Sequence, residues 1–153
     1  MGIQNVPMGQ GESAVPILID TGFFLALRYA RDPKHERAEW LAEAIYRGEH
    51  GRPFVSEYIA AEILNFATRK LRSPDDAIAM MDELLGRGPA PWLGMAKVDD
   101  EAFTATCEVY AALGARKGLS FTDCSTLVLA RRMGISTIAS FDTGFDGLIE
   151  RLS

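Results

Sequence analysis

Histidine and cysteine are scarce in this chain, two of each among 153 residues. Cys107 and Cys124 stand far apart, with no C-x-x-C spacing and no histidine beside either. That sets aside a disulfide scaffold or a zinc site and points to a reducing setting. Long apolar runs are missing as well: nothing approaches the roughly 18 residues needed to span a bilayer. The stretch from Met1 to Val15 has neither the charged start nor the apolar centre of a signal peptide. A myristoylation signal fails too, because Val6 holds the place where serine or threonine is required. Basic charge is in deficit, with 16 Lys and Arg against 21 Asp and Glu and a net charge of −5. The chain therefore lacks the global electrostatic footprint of a protein that coats nucleic acid. A local grip stays open, since clustered metal-binding acids themselves pull the count negative. A soluble, cytoplasmic protein with no membrane partner is expected.

What is present is one domain's worth of apolar sequence, 48% of residues, which is too much for a disordered chain. Residues 1–14, rich in glycine and polar side chains, are expected to form a flexible tail, and 15–153 a single domain. Short apolar runs then alternate with longer helical patterns. Strands are expected at Ile17-Leu18-Ile19, at Pro53-Phe54-Val55, from Trp92 to Val98, from Ile135 to Ala139, and at the end from Leu148 to Leu152. Asp32-Pro33 and Ser73-Pro74 each read as an N-cap followed by proline at the first helical position. An acidic start at Asp99-Asp100-Glu101 opens a helix to about Leu113, Gly114 to Gly118 reads as a basic loop, and Thr122 as the cap of a helix through Arg132. This alternation predicts an α/β fold with a parallel sheet of four to five strands and helices on both faces.

In such a sheet, ligands bind beyond the carboxyl ends of the strands. Four acids from separate segments fall there: Asp20 after the first strand, Glu62 in the helix after the second, Asp123 in the first turn of the helix before the fourth, and Asp142 just past the fourth. Each alone has a bland explanation as a cap, a turn residue or a solvated helix position. Together they are specific, because gathered carboxylates raise one another's pKa unless a cation offsets them. Hard oxygen ligands suit Mg²⁺ or Mn²⁺, and such ions support phosphodiester hydrolysis.

Those residues, in that order, resemble the PIN domain family of ribonucleases. The resemblance is carried by Leu18-Ile19-Asp20-Thr21, by Ser56-Glu57-Tyr58-Ile59-Ala60-Ala61-Glu62, by Leu119-Ser120-Phe121-Thr122-Asp123, and by Ile138-Ala139-Ser140-Phe141-Asp142-Thr143-Gly144-Phe145. It implies a three-layer α/β/α domain in which Asp20, Glu62, Asp123 and Asp142 hold Mg²⁺ or Mn²⁺ and cleave RNA, with Thr21 and Ser140 as supporting hydroxyls. Many members are VapC-type toxins, so the resemblance also implies a homodimer and a small antitoxin protein that inserts a segment into the active-site groove. Gly22 departs from the asparagine or serine often found there. Asp146 competes with Asp142 for the fourth position, but Ser140 and Phe145 fall in register with Asp142.

Among basic residues, Arg116 and Lys117 are the best candidates for phosphate contacts with RNA, because they lie shortly before Asp123. Trp40 and Trp92 are assigned to packing, as is the Phe23-Phe24 pair. One rival is a non-catalytic PIN-like binding module, against which the four intact acids argue. Another is an aspartic protease, since Asp-Thr-Gly occurs at Asp20-Thr21-Gly22 and again at Asp142-Thr143-Gly144. Those enzymes are nearly all β, whereas most segments here are capped helices.

Overall fold

A computed structural model describes residues 15–153. The tail expected at 1–14 lies outside the described residues. Five strands form one sheet in the order β3-β2-β1-β4-β5, and every neighbouring pair is parallel. They are β1 (Ile17–Ile19), β2 (Pro53–Ser56), β3 (Gly94–Ala96), β4 (Thr137–Ala139) and β5 (Glu150–Leu152). The central strand β1 is fully buried, which its uninterrupted Ile-Leu-Ile demands.

Alternation along β1 separates two cores. Ile17 and Ile19 pack with Val55 and Ala139 against α1 (Thr21–Arg28), α2 (His35–Tyr46), α3 (Glu57–Lys70) and α4 (Pro74–Leu84). Leu18 packs with Ile138 and Ala96 against α5 (Asp100–Val109) and α7 (Phe121–Met133). The result is three layers, α/β/α, with Phe23 and Phe24 of α1 wholly buried as expected. Among the described residues no helix is long and apolar enough to cross a membrane.

Several local expectations give way to tertiary context. Asp32-Pro33 forms a turn rather than a helix start: the Asp32 carboxylate accepts from the Lys34 amide at 2.8 Å, and α2 begins at His35 without a side-chain cap. Ser73-Pro74 does open α4, with Ser73 accepting from the Asp76 amide. Strand β3 is shorter than the run from Trp92 to Val98, because Trp92 turns away to donate to Glu83 at 2.8 Å. Within β3, Gly94 lets the Phe54 ring approach the strand closely: a Cβ there would stand 2.4 Å from that ring, which would have to shift. Trp40 is not a core residue; it is 61% exposed, with the Arg37 guanidinium 4.5 Å above its ring.

The basic segment before Asp123 is not a loop. Helix α5 continues through a π-helical stretch, Tyr110–Gly114, into the turn α6 (Ala115–Lys117), which ends at Gly118 in the left-handed conformation. Arg116 and Lys117 are exposed on that turn. Gly114 lets the wide π-turn lie against α7, since a Cβ there would come within 2.5 Å of the Cys124 sulfur.

Candidate active site

Chain order reverses at β1: strands β2 and β3 lie to one side of it and β4 and β5 to the other. The crevice past the carboxyl ends of β1 and β4 is the topological switch point, where α/β sheets bind ligands. Asp20 leaves β1 at this point, its amide bonded to the Ala139 carbonyl of β4 at 3.0 Å. Its carboxylate caps α1 by accepting from the Thr21 amide at 2.9 Å. The other oxygen, Oδ2, accepts from the Ser140 hydroxyl at 2.7 Å. Both partners are enclosed: Asp20 is 7% exposed and Ser140 0%.

Glu62 is brought in by Thr21, whose hydroxyl donates to Glu62 Oε2 at 2.7 Å. One residue of α1 thus ties the end of β1 to the second turn of α3. Asp123 is fixed by its own helix start. Ser120, not Thr122, is the N-cap of α7, in a reciprocal box: Ser120 Oγ accepts from the Asp123 amide at 3.0 Å, and Asp123 Oδ2 accepts from the Ser120 amide at 2.8 Å. The pattern Ser-x-x-Asp before an apolar run carries that signal in the sequence. Asp142 follows Ser140, and its amide donates to Ser140 Oγ at 3.1 Å. Its Oδ1 accepts from the Gly144 amide at 2.8 Å.

Electrostatics record how close these groups stand. Burial pushes the Asp20 carboxyl up from 3.8 to about 6, against hydrogen bonds from Ser140 and Thr21, and the Asp123 and Asp142 charges push it further. Burial raises Asp123 also, with added repulsion from Asp142 and Glu62. Asp123 is thus the group that senses acids from both sides, Asp142 and Glu62. Asp146 points elsewhere: its Oδ1 accepts from Arg151 Nε at 2.6 Å in an ion pair.

Among the described residues, no lysine, arginine or histidine pairs with Asp20, Glu62, Asp123 or Asp142. Nor are three or more His, Cys, Asp or Glu side chains arranged there to hold a metal ion directly. The donor set nevertheless has the chemistry of a hard cation's site. It offers carboxylate oxygens only, and Glu62, Asp123 and Asp142 each have one oxygen anchored by the chain and the other without a protein hydrogen bond among the described residues. An ion that keeps several waters, as Mg²⁺ does, needs only one or two direct protein ligands.

Arg116 and Lys117 make no hydrogen bond or ion pair to the acids. The aspartic-protease alternative loses its frame, because both Asp-Thr-Gly copies sit at the end of parallel strands in an α/β/α domain. Two features escaped the sequence reading: the capping role of Ser120, and Arg151, whose Nη1 also donates to the Ser140 carbonyl at 3.1 Å.

Residues 17–149 match the PIN domain family. The chain is similar to a VapC ribonuclease of Archaeoglobus fulgidus, with 30% identity over 128 residues that span 84% of this chain and 78% of the relative. Among solved structures it is similar to Mycobacterium tuberculosis VapC20, a toxin that cleaves the sarcin–ricin loop. That match has a TM-score of 0.70 and 22% identity, covering 84% of this chain and 92% of the other. It is also similar to VapBC2 from Rickettsia felis, solved bound to a fragment of promoter DNA, with a TM-score of 0.60 and 14% identity over 90% of this chain and 97% of that one. At such identities the structural likenesses speak for the fold, while the sequence match over most of the chain carries the family. A five-stranded parallel sheet with its acids at the switch point thus has a lineage: the chain belongs to the PIN domain family.

Proposed function

We propose that this protein is a metal-dependent endoribonuclease whose active site comprises Asp20, Glu62, Asp123 and Asp142, and that it is the toxin of a toxin–antitoxin pair. The observation that carries the reading is that Asp123 feels the charges of Asp142 and Glu62, and Asp20 those of Asp123 and Asp142, with no cationic partner to any of them among the described residues and Asp20 buried deeply enough to lift its pKa to about 6. Such an arrangement is unfavourable in an isolated protein and is relieved by a bound cation. Asp20, Glu62, Asp123 and Asp142 would hold Mg²⁺ or Mn²⁺, partly through water. An ion of that class supplies Lewis acidity toward a phosphoryl oxygen and toward water.

The chain's own contribution is preorganisation. Ser140 and the Thr21 amide fix both oxygens of Asp20 and favour its charged form. Thr21 sets the rotamer of Glu62, and Ser120 sets that of Asp123. Glu62, Asp123 and Asp142 then each present a second oxygen with little left to reorganise when a phosphodiester enters, which is where electrostatic sites gain most. No nucleophilic side chain is required.

The toxin assignment is supported by the activities of the relatives: a VapC ribonuclease in sequence, and a toxin that cleaves the sarcin–ricin loop in structure. The reading extends to an RNA substrate, a small antitoxin partner, a homodimer and a cytoplasmic location. The test is cleavage of a mixed structured RNA by purified protein with Mn²⁺ or with EDTA, beside Asp123→Asn. Cleavage that disappears with EDTA and with the substitution is expected. Cleavage that persists in Asp123→Asn refutes the assignment of the site, and a protein that neither cleaves RNA nor binds Mn²⁺ by calorimetry is a binding module of the same fold.

A further inference from the structure

Strands β4 and β5 are parallel neighbours of three residues each, yet only ten residues join them, and one 3₁₀ turn, Thr143–Phe145, is the regular structure in that link. Parallel strands ordinarily need a dozen or more residues to cross over. This short link carries Ser140 at its start and Asp142 two residues later, so its path sets how both face Asp20. Ladder hydrogen bonds reach only as far as the Ser140 amide, which donates to the Leu152 carbonyl at 3.2 Å. Beyond that atom the link's backbone bonds are internal to it, from the Phe145 and Asp146 amides to the Asp142 and Thr143 carbonyls and from Leu148 and Ile149 to that of Phe145, so what ties its first residues to β5 is a side chain.

Arg151 of β5 is the side chain that spans the link. Its Nη1 donates to the Ser140 carbonyl at 3.1 Å and its Nε donates to Asp146 Oδ1 at 2.6 Å, so one guanidinium grips the link at its first residue and again six residues on. The side chain is only 16% exposed, whereas that of Asp146 is 59% exposed. A charge so far removed from water is retained only where its partners are well placed. The two contacts come from two different nitrogens of a rigid planar fork, a geometry that lysine cannot copy.

We propose that Arg151 is a positioning residue for the acidic site: by clipping the Ser140 carbonyl and Asp146 together it fixes the peptide that follows Ser140, and with it the placement of Asp142 relative to Asp20. The proposal rests on the nuclease reading for its catalytic consequence, but its structural half concerns the metal-free protein. Groups that orient metal-binding side chains from behind are worth about 10–100-fold in metal affinity or activity.

The experiment compares wild type with Arg151→Met, Arg151→Lys and, as a control, Arg37→Met. Arg37 also holds the end of the chain after β5, donating to the Ser153 carbonyl at 2.8 Å, and among the described residues makes no hydrogen bond or ion pair to the 140–146 link. Amide hydrogen exchange in EDTA is the first readout. Arg151→Met and Arg151→Lys should speed exchange at the Asp142 amide about tenfold or more and leave the Ile19 amide of the central strand unchanged; Arg37→Met should change neither. Mn²⁺ calorimetry and RNA cleavage are the second: both Arg151 variants should lose about 10–100-fold in Mn²⁺ affinity and in kcat, with KM for RNA held. Unchanged exchange at Asp142 overturns the proposal, as does equal acceleration at Ile19, which would make Arg151 a residue of global stability. Full rescue by lysine overturns the two-point clip, and a rise in KM alone would make Arg151 a phosphate contact instead. If wild type binds no Mn²⁺, the nuclease reading fails while the exchange comparison still decides the clip.

Discussion

Replacing Asp20 by asparagine should stabilise the metal-free protein, although it removes the most buried acid of the site. Folding raises the Asp20 carboxyl from 3.8 to about 6, chiefly by burial. The folded state therefore holds this proton more tightly than the unfolded chain does. Its ionised form imposes a cost that is absent below pH 3.8, grows as the pH rises toward 6, and is constant above that. At about 1.4 kcal/mol per tenfold in the proton equilibrium, the full cost at pH 7 is about 3 kcal/mol. Asparagine stays neutral. Its oxygen can still accept from the Thr21 amide, but the Ser140 hydroxyl must turn to accept from the new NH₂, a weaker bond than one to a carboxylate. The net gain is then about 1–2 kcal/mol, which for a domain of this size raises Tm by roughly 2–8 °C.

The assay is thermal unfolding of wild type and Asp20→Asn in EDTA at pH 4 and at pH 7. The variant should be the more stable at pH 7, and that advantage should vanish or reverse at pH 4. Saturating Mn²⁺ should reverse the order at pH 7, because a ligand at about one hundred times its Kd stabilises by roughly 2.7 kcal/mol, and the variant would forfeit much of that. A variant less stable than wild type at pH 7 in EDTA, or a gap of equal size at both pH values, would refute the reasoning that burial and neighbouring acids strain Asp20.

Three further outcomes are expected. Ser140→Ala removes a fully buried hydroxyl that serves both Asp20 and the Asp142 amide, and should cost about 1–3 kcal/mol by urea unfolding, with no gain from raising the pH. Gly114→Ala drives a methyl to 2.5 Å from the Cys124 sulfur and 3.0 Å from the Tyr110 ring, and should cost about 1–3 kcal/mol by calorimetry; Gly22→Ala, with nothing within 4 Å of the new atom, should be neutral or stabilising by up to about 1 kcal/mol. Ser120→Ala breaks the reciprocal cap of α7 and should cost about 1 kcal/mol, while Thr122→Ala should cost markedly less in the same urea titration.

The local code of the chain was sufficient for much of this. An unbroken Ile17-Leu18-Ile19 followed by Asp20 specifies a buried parallel strand that ends in a polar residue, whatever surrounds it. The Ser73-Pro74 start and the glycine at 134 act within a few residues of themselves, so they read correctly in isolation. The same locality explains the failures. Asp32 met its nearest amide in a turn before it could cap a helix, and the stretch through Gly114 stayed helical because that glycine packs on Cys124 rather than ending the helix.

Amino-acid order alone thus determined the fold class, the central strand and which acids stand just after strands or in the first two turns of helices. It could not determine that they meet. That depends on β4 lying beside β1 while β2 and β3 lie on the other side, which brings Ser140 and Asp142 to Asp20 across 120 residues of chain. It also depends on Thr21 reaching Glu62 across 41 residues, and on Arg151 drawing Asp146 out of the group and leaving Asp142 in it. Such pairings are decided by strand order and by which carboxylate finds a cation, and both are properties of the packed chain that no short stretch of sequence contains.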